Sequence, residues 1–244
     1  MPSSSNITVP YVSAIINSLS PTSALDIGIG MGKFGFLFRE SCEWATIMLE
    51  GKITHVSKEH WHSRLDGIEV CSKYITPLQE YLYDKIHIGY AQEVAANLHD
   101  YDLIHMGDVI EHIEKSDAQK LLDILFQKAR LGVLVITPVG EYHQEGVEGN
   151  PYEEHQSVWS PADFHRFPFV WSRKVGKSQW IIFISRKRYW LSDPIRNGGT
   201  QVHHMKINAR KQRIKNICNL LVGEKGLNYM IRIKRYCEGW RGNR

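Results

Sequence analysis

Five short apolar runs, separated by helix-patterned segments, constrain this chain more than any other feature. Residues 24–27, 65–70, 85–89, 101–106 and 132–137 read as strands, and Pro138 stops the last of them. Between them, residues 33–44, 72–83, 92–98 and 116–130 carry helical spacing; Leu121, Leu122, Leu125 and Phe126 form an apolar face in the last. Residues 10–19 predict a short amphipathic helix ahead of the first strand, and the His-rich stretch 50–64 reads as a loop insertion. Strand and helix in alternation build βαβ units, hence a parallel sheet covered on both faces. The pattern changes near the end. Residues 170–175 and 180–185 are strand-like and separated by four residues, the signature of an antiparallel hairpin.

The first strand runs directly into glycines: residues 25–35 read LDIGIGMGKFG. Gly30, Gly32 and Gly35 satisfy the GxGxxG dinucleotide fingerprint, while Gly28, Gly30 and Gly32 form GxGxG with Asp26 two residues upstream. Glycine admits backbone angles closed to other residues and lets a ligand touch the main chain. The carboxyl ends of strands are where open α/β sheets bind ligands. An acid this close repels a pyrophosphate and suits a ligand bearing an ammonium and a sulfonium.

LDIGIGMG resembles the first motif of the class I S-adenosylmethionine-dependent methyltransferases, and the resemblance extends over about residues 20–185, hairpin included. It implies an α/β, Rossmann-like, doubly wound seven-stranded sheet, mostly parallel with a C-terminal antiparallel hairpin. It also implies S-adenosyl-L-methionine as cofactor, held by Asp26, Gly28, Gly30 and Gly32. Glu69 in GIEV falls where the family's acid grips the ribose hydroxyls; one carboxylate can accept from two adjacent hydroxyls. After the third strand the family often places an Asp by the adenine. Here the stretch is Gly89-Tyr90-Ala91-Gln92, so Ala91 and Gln92 are the adenine candidates, with Tyr90 available for stacking.

Residues 105–113, HMGDVIEHI, follow the fourth strand and resemble the family's motif there, with Asp108 near cofactor and substrate. Asp108, Glu111 and His112 converge if the segment is a helical turn, and two carboxylates with an imidazole suit a divalent ion. Small-RNA 2′-O-methyltransferases and ubiquinone-pathway O-methyltransferases use a similar ExxEH for metal. This chain has Asp first, and many relatives carry DVxEH without metal, so the expectation is no metal. A long aromatic loop follows the fifth strand. It holds His143, His155 and Trp159, and its NPYEEHQSVW resembles bacterial methyltransferases of sugar or cell-surface biosynthesis. His155, then His112 and His143, are the candidate proton acceptors for a hydroxyl nucleophile.

The 244 residues carry a net charge of +4, which hides an asymmetry. Lys and Arg number 12 against 23 Asp and Glu up to residue 172, and 18 against 3 beyond it. The division expected is a methyltransferase domain over 1–190 and a basic, helical extension over 191–244. That extension offers contacts to its own body, an anionic membrane surface or nucleic acid. Four scattered cysteines, no secretory leader and no apolar run of membrane-spanning length point to the cytoplasm. Oxygen is the expected acceptor, since the N/DPPY signature of amino-group methylation is absent. The leading function is O-methylation of a small molecule or glycan. The alternatives are a divalent-metal RNA 2′-O-methyltransferase, an NAD(P)-dependent oxidoreductase and a non-catalytic cofactor-binding module. Composition does not set the oligomeric state.

Overall fold

In a computed structural model the structure describes residues 5–50, 58–141, 144, 146 and 150–189, with side chains omitted over 44–50. The basic extension and His143 lie outside the described residues. Seven strands form one sheet in the order β3-β2-β1-β4-β5-β7-β6. They are β1 Ser23–Ile27, β2 Arg64–Glu69, β3 Lys85–Ile88, β4 Tyr101–Gly107, β5 Ala129–Pro138, β6 Phe169–Val175 and β7 Gln179–Ser185. β1 to β5 run parallel, and β7 pairs antiparallel with both β5 and β6. This is the Rossmann-like, doubly wound sheet with a terminal hairpin that the alternation and the resemblance imply.

The central strands are apolar because both faces are covered. Every residue of β1 is buried. Leu25, Ile27, Ile104 and Met106 pack on one face with Leu121, Leu122 and Leu125 of α5 (Lys115–Lys128). Ala24, Leu103 and Leu134 pack on the other with Ile15 of α1 (Val9–Leu19) and Phe34 and Phe38 of α2 (Lys33–Glu50). Each buried Leu, Ile or Phe contributes about 1.5–3 kcal/mol. Among the described residues no helix is long and apolar enough to cross a membrane.

Four local expectations change. The segment 72–83 is not one helix: a 3-10 turn at Ser72–Tyr74 precedes α3, Pro77–Leu82. Pro77 excludes the helical conformation from the residue before it. Thr76 is extended and caps α3 instead, with its hydroxyl accepting from Leu78 N and Gln79 Oε1 accepting from Thr76 N at 3.0 Å. Next, α2 runs to Glu50, past the expected end at Trp44. Finally, β5 starts at Ala129, because Ala129 already pairs with Tyr101 before an irregularity in the ladder. The segment 92–98 divides into α4, Ala91–Val94, and a 3-10 turn at Ala95–Asn97.

Candidate functional site

The carboxyl ends of β1 to β5 open onto one cleft of about 1,060 Å³. A single drug-sized ligand fills about 300–1,000 Å³, so the cleft has room for a nucleoside and part of a second molecule. Asp26, Gly28, Gly30, Glu69, Ala91, Gln92, Asp108, His112 and His155 all line it. Gly32 lies in the same turn, packed beneath it on Leu82 and Gln79.

The turn has the backbone that glycine alone adopts freely. Gly28, Gly30 and Gly32 sit at φ of 71°, 46° and 79°. Gly32 N closes the turn on Ile29 O at 2.7 Å, and α2 begins one residue later. Gly35, the last glycine of the dinucleotide pattern, serves packing: a Cβ there would stand 2.8 Å from the Tyr83 ring.

Glu69 ends β2 and is 4% exposed. Its Oε2 accepts from Gly30 N at 3.1 Å and its Oε1 from Cys71 N at 3.0 Å. Burial pushes its carboxyl above the ordinary value, and the two amides oppose that shift. The acid is thereby fixed between the glycine turn and Cys71 and still lines the cleft. Tyr90 stands half exposed at the rim, edge-on to Tyr152 with centroids 5.9 Å apart. Tyr74 OH donates to Glu153 Oε1 at 3.0 Å and accepts from Asn150 Nδ2 at 2.7 Å. The segment 150–157 is thus anchored across the cleft.

Asp26 occupies the expected position but has two neighbours of its own. Tyr83 OH donates to Oδ2 at 2.5 Å, and His105 Nδ1 meets Oδ1 at 2.7 Å. Asp26 is 1% exposed. Its second neighbour, His105, is not among the site residues expected from the sequence. The HMGD pattern held the signal, since position 105 is a polar residue among the apolar residues Leu103, Ile104 and Met106.

Asp108 follows β4 in left-handed backbone, φ 52°, a conformation Asp tolerates better than most residues. A 3-10 turn, Ile110–His112, follows. Among the described residues, the three groups whose ligating atoms cluster are Glu111, His112 and His155, all within 4.8 Å of one another. Asp108, expected in that set, is not in it, because it precedes the turn that orients Glu111 and His112. His155 takes its place, brought there by the cross-cleft segment: Gln156 N and Ser157 N donate to Glu111 O at 2.8 and 3.0 Å.

Glu111 is 2% exposed, and its carboxyl is raised well above the ordinary range by burial first and the Asp108 charge second. Thr137 Oγ1 lies 3.4 Å from Oε2, whereas Oε1 has no hydrogen-bond partner among the described residues. His112 is held below its ordinary pKa, chiefly by burial, and so is neutral near pH 7. Its Nδ1 donates to Glu154 O at 3.1 Å, which assigns the lone pair to Nε2. The His112 and His155 rings meet edge-on, 4.8 Å apart. Two imidazoles beside a buried acid can take up a proton; the same atoms can also hold a divalent cation once Glu111 is ionised.

Several solved structures align with this chain. The N-terminal domain of EvdMO1, crystallised in the presence of SAH and D-fucose, aligns over 76% of this chain and 85% of its own at 13% identity, TM-score 0.51. A methyltransferase from Geobacter sulfurreducens aligns over 75% and 82% at 14% identity, TM-score 0.48. The methyltransferase domain of the bacterial CtHen1 aligns over 73% and 97% at 16% identity, TM-score 0.47. The likeness to the EvdMO1 domain shows a common fold. No protein-family model and no curated protein matches the chain.

Proposed function

We propose that this protein is an S-adenosyl-L-methionine-dependent O-methyltransferase acting on a small-molecule or glycan hydroxyl. The observation that carries the reading is Glu69, a buried carboxylate at the end of β2, hydrogen-bonded to a turn whose Gly28 and Gly30 line the cleft with main chain alone. In that position it accepts from both ribose hydroxyls, while Ala91, Gln92 and Tyr90 flank the base. The EvdMO1 domain of this fold is described with SAH bound, which supports the same use of the cleft here.

The bound cofactor supplies an electrophilic methyl group on a sulfonium. The chain's own task is to orient the acceptor hydroxyl and take its proton. His155 and His112, which line the same cleft as Glu69, are suited to that step. Among the described lining residues eight are Asp or Glu, and Lys33 is the single Lys or Arg. Such a lining repels phosphates and favours an uncharged or cationic acceptor, which weighs against a diphosphate cofactor and against RNA. Calorimetry tests the reading directly. SAH is expected to bind with micromolar or better affinity and NAD not at all; binding of NAD without SAH overturns it.

The Glu111, His112 and His155 cluster favours a second reading, in which the proton is removed with help from a divalent ion. An ion there lowers the pKa of a bound hydroxyl. The unpartnered Oε1 of buried Glu111 fits that donor set. Activity that survives EDTA unchanged removes this reading and leaves the histidines as bases.

Burial of Glu69 also sets a pH dependence. Its pKa is raised, so the ionised form that accepts from hydroxyls disappears as pH falls through a value above the usual carboxylate range. SAH affinity is therefore expected to weaken on acidification earlier than an exposed glutamate allows. Glu69→Gln is expected to bind SAH about tenfold or more weakly, in line with loss of hydrogen bonds to a charged group, and to flatten this pH profile. An unchanged profile in Glu69→Gln assigns the dependence to another group.

A further inference from the structure

β1 and β4 lie side by side, with Asp26 and His105 as direct register partners on the face that α2 covers. His105 is 6% exposed, and what it does expose lines the cleft beside the glycine turn. Its ring is fixed twice. It stacks on Phe34, centroids 4.1 Å apart and planes within 3°, and its Nδ1 meets Asp26 Oδ1 at 2.7 Å. A carboxylate only accepts, so Nδ1 is the donor, and the neutral ring carries its lone pair on Nε2. Tyr83 OH holds the other carboxylate oxygen. Tyr83, Asp26 and His105 therefore form a chain of hydrogen bonds that ends on an acceptor nitrogen. Among the described residues Nδ1 is the His105 nitrogen with a hydrogen bond.

This inference rests on the cofactor reading above. With the adenosine over β2 and β3, at Glu69 and Ala91–Gln92, the rest of the molecule extends over β1 and β4. Its amino-acid end carries an ammonium and a carboxylate. Lys33 and the first amides of the 18-residue α2 suit the carboxylate. An ammonium has three donors and no acceptor, and it requires a lone pair backed by negative charge.

We propose that His105 receives the ammonium of the cofactor's amino-acid end through Nε2, with Asp26 and Tyr83 holding the ring. The acid of the glycine motif then acts at one remove: its charge reaches the ligand through an imidazole. Glycine-turn residues set the space, and His105 sets the preference for an amino acid over an uncharged tail.

The test compares two ligands in the full chain. SAH carries the amino-acid end, and 5′-methylthioadenosine keeps the adenosine and lacks that end. His105→Asn retains an amide nitrogen near Nδ1 for Asp26 and deletes the atom facing the cleft. It is expected to weaken SAH about tenfold or more, the loss of one hydrogen bond to a charged group, while methylthioadenosine binding stays within about twofold of wild type. Methylthioadenosine also reports that the variant is folded. Equal losses for both ligands, or no loss for either, overturn the proposal. A wild-type protein that binds neither ligand overturns the cofactor reading itself, so the two failures are distinct.

Discussion

Gly28→Ala is expected to cost this protein about 2–5 kcal/mol of stability and to remove measurable SAH binding. Two independent penalties meet at this position. Gly28 has φ 71°, and holding a non-glycine residue in left-handed backbone costs about 1–2 kcal/mol. In addition, a Cβ there would lie 2.3 Å from Val109 Cγ2. Val109 follows Asp108 at the end of β4, so it cannot retreat without moving the acceptor end of the cleft; overpacking of this kind costs about 1–3 kcal/mol. At about 2–4 °C per kcal/mol for a chain of this size, the melting temperature should fall by roughly 10 °C. Gly28→Ala combined with Val109→Ala separates the two terms. The pair should recover the packing share and leave the backbone share, a coupling visible in a double-mutant cycle. A double variant no more stable than Gly28→Ala alone refutes the steric account.

The sheet was legible because its central strands are buried on both faces, which makes them short apolar runs that no helix pattern imitates. The pairing of β6 with β7 was legible from the short connection between them, whereas the strand order was not. Misreadings arose where one residue outweighed the pattern around it. Pro77 broke a helix that apolar spacing extended through Ile75, and the early pairing of Ala129 lengthened a strand that composition began at Gly132. At the site, the glycine turn and Glu69 were legible because backbone strain and a lone acid at a strand end leave marks within a few residues. The Glu111, His112 and His155 cluster was only half legible. His155 is 43 positions from His112, and its approach depends on Gln156 and Ser157 binding the carbonyl of Glu111, an interaction without local pattern. His105 was hidden differently. Its chemistry depends on a neighbour 79 positions away, and sequence order does not show which strands lie side by side.

Removal of the Arg39 guanidinium is the second large expected effect, although Arg39 is not among the residues lining the cleft. Arg39 is 4% exposed and all its donors converge on the sheet's outer strands. Nε donates to Leu82 O at 2.9 Å where α3 ends, Nη1 to Ser63 O at 2.6 Å before β2, and Nη2 to Asp84 Oδ2 at 2.9 Å before β3. Its guanidinium lies 4.1 Å from the centre of the Trp61 ring. Glu43, also buried, sits one helical turn on at 3.5 Å and accepts from the amides of His62 and Ser63 and from the Ser63 hydroxyl. One side chain of α2 thus ties down the strands that carry Glu69 and lead to Ala91–Gln92. Breaking a buried pair leaves the other charge uncompensated, at about 3–5 kcal/mol, so Arg39→Leu should lower the melting temperature by roughly 10 °C or more. Lysine has no planar fork and cannot satisfy three divergent acceptors, so Arg39→Lys should recover only a minor part of the loss. Adding Glu43→Gln to Arg39→Leu removes the stranded charge, and the combined cost should be smaller than the sum of the two single costs. Chemical denaturation of the four proteins measures each term. A loss below about 1 kcal/mol in Arg39→Leu, the scale of an exposed pair, contradicts the role of Arg39 as the tie between α2 and these strands.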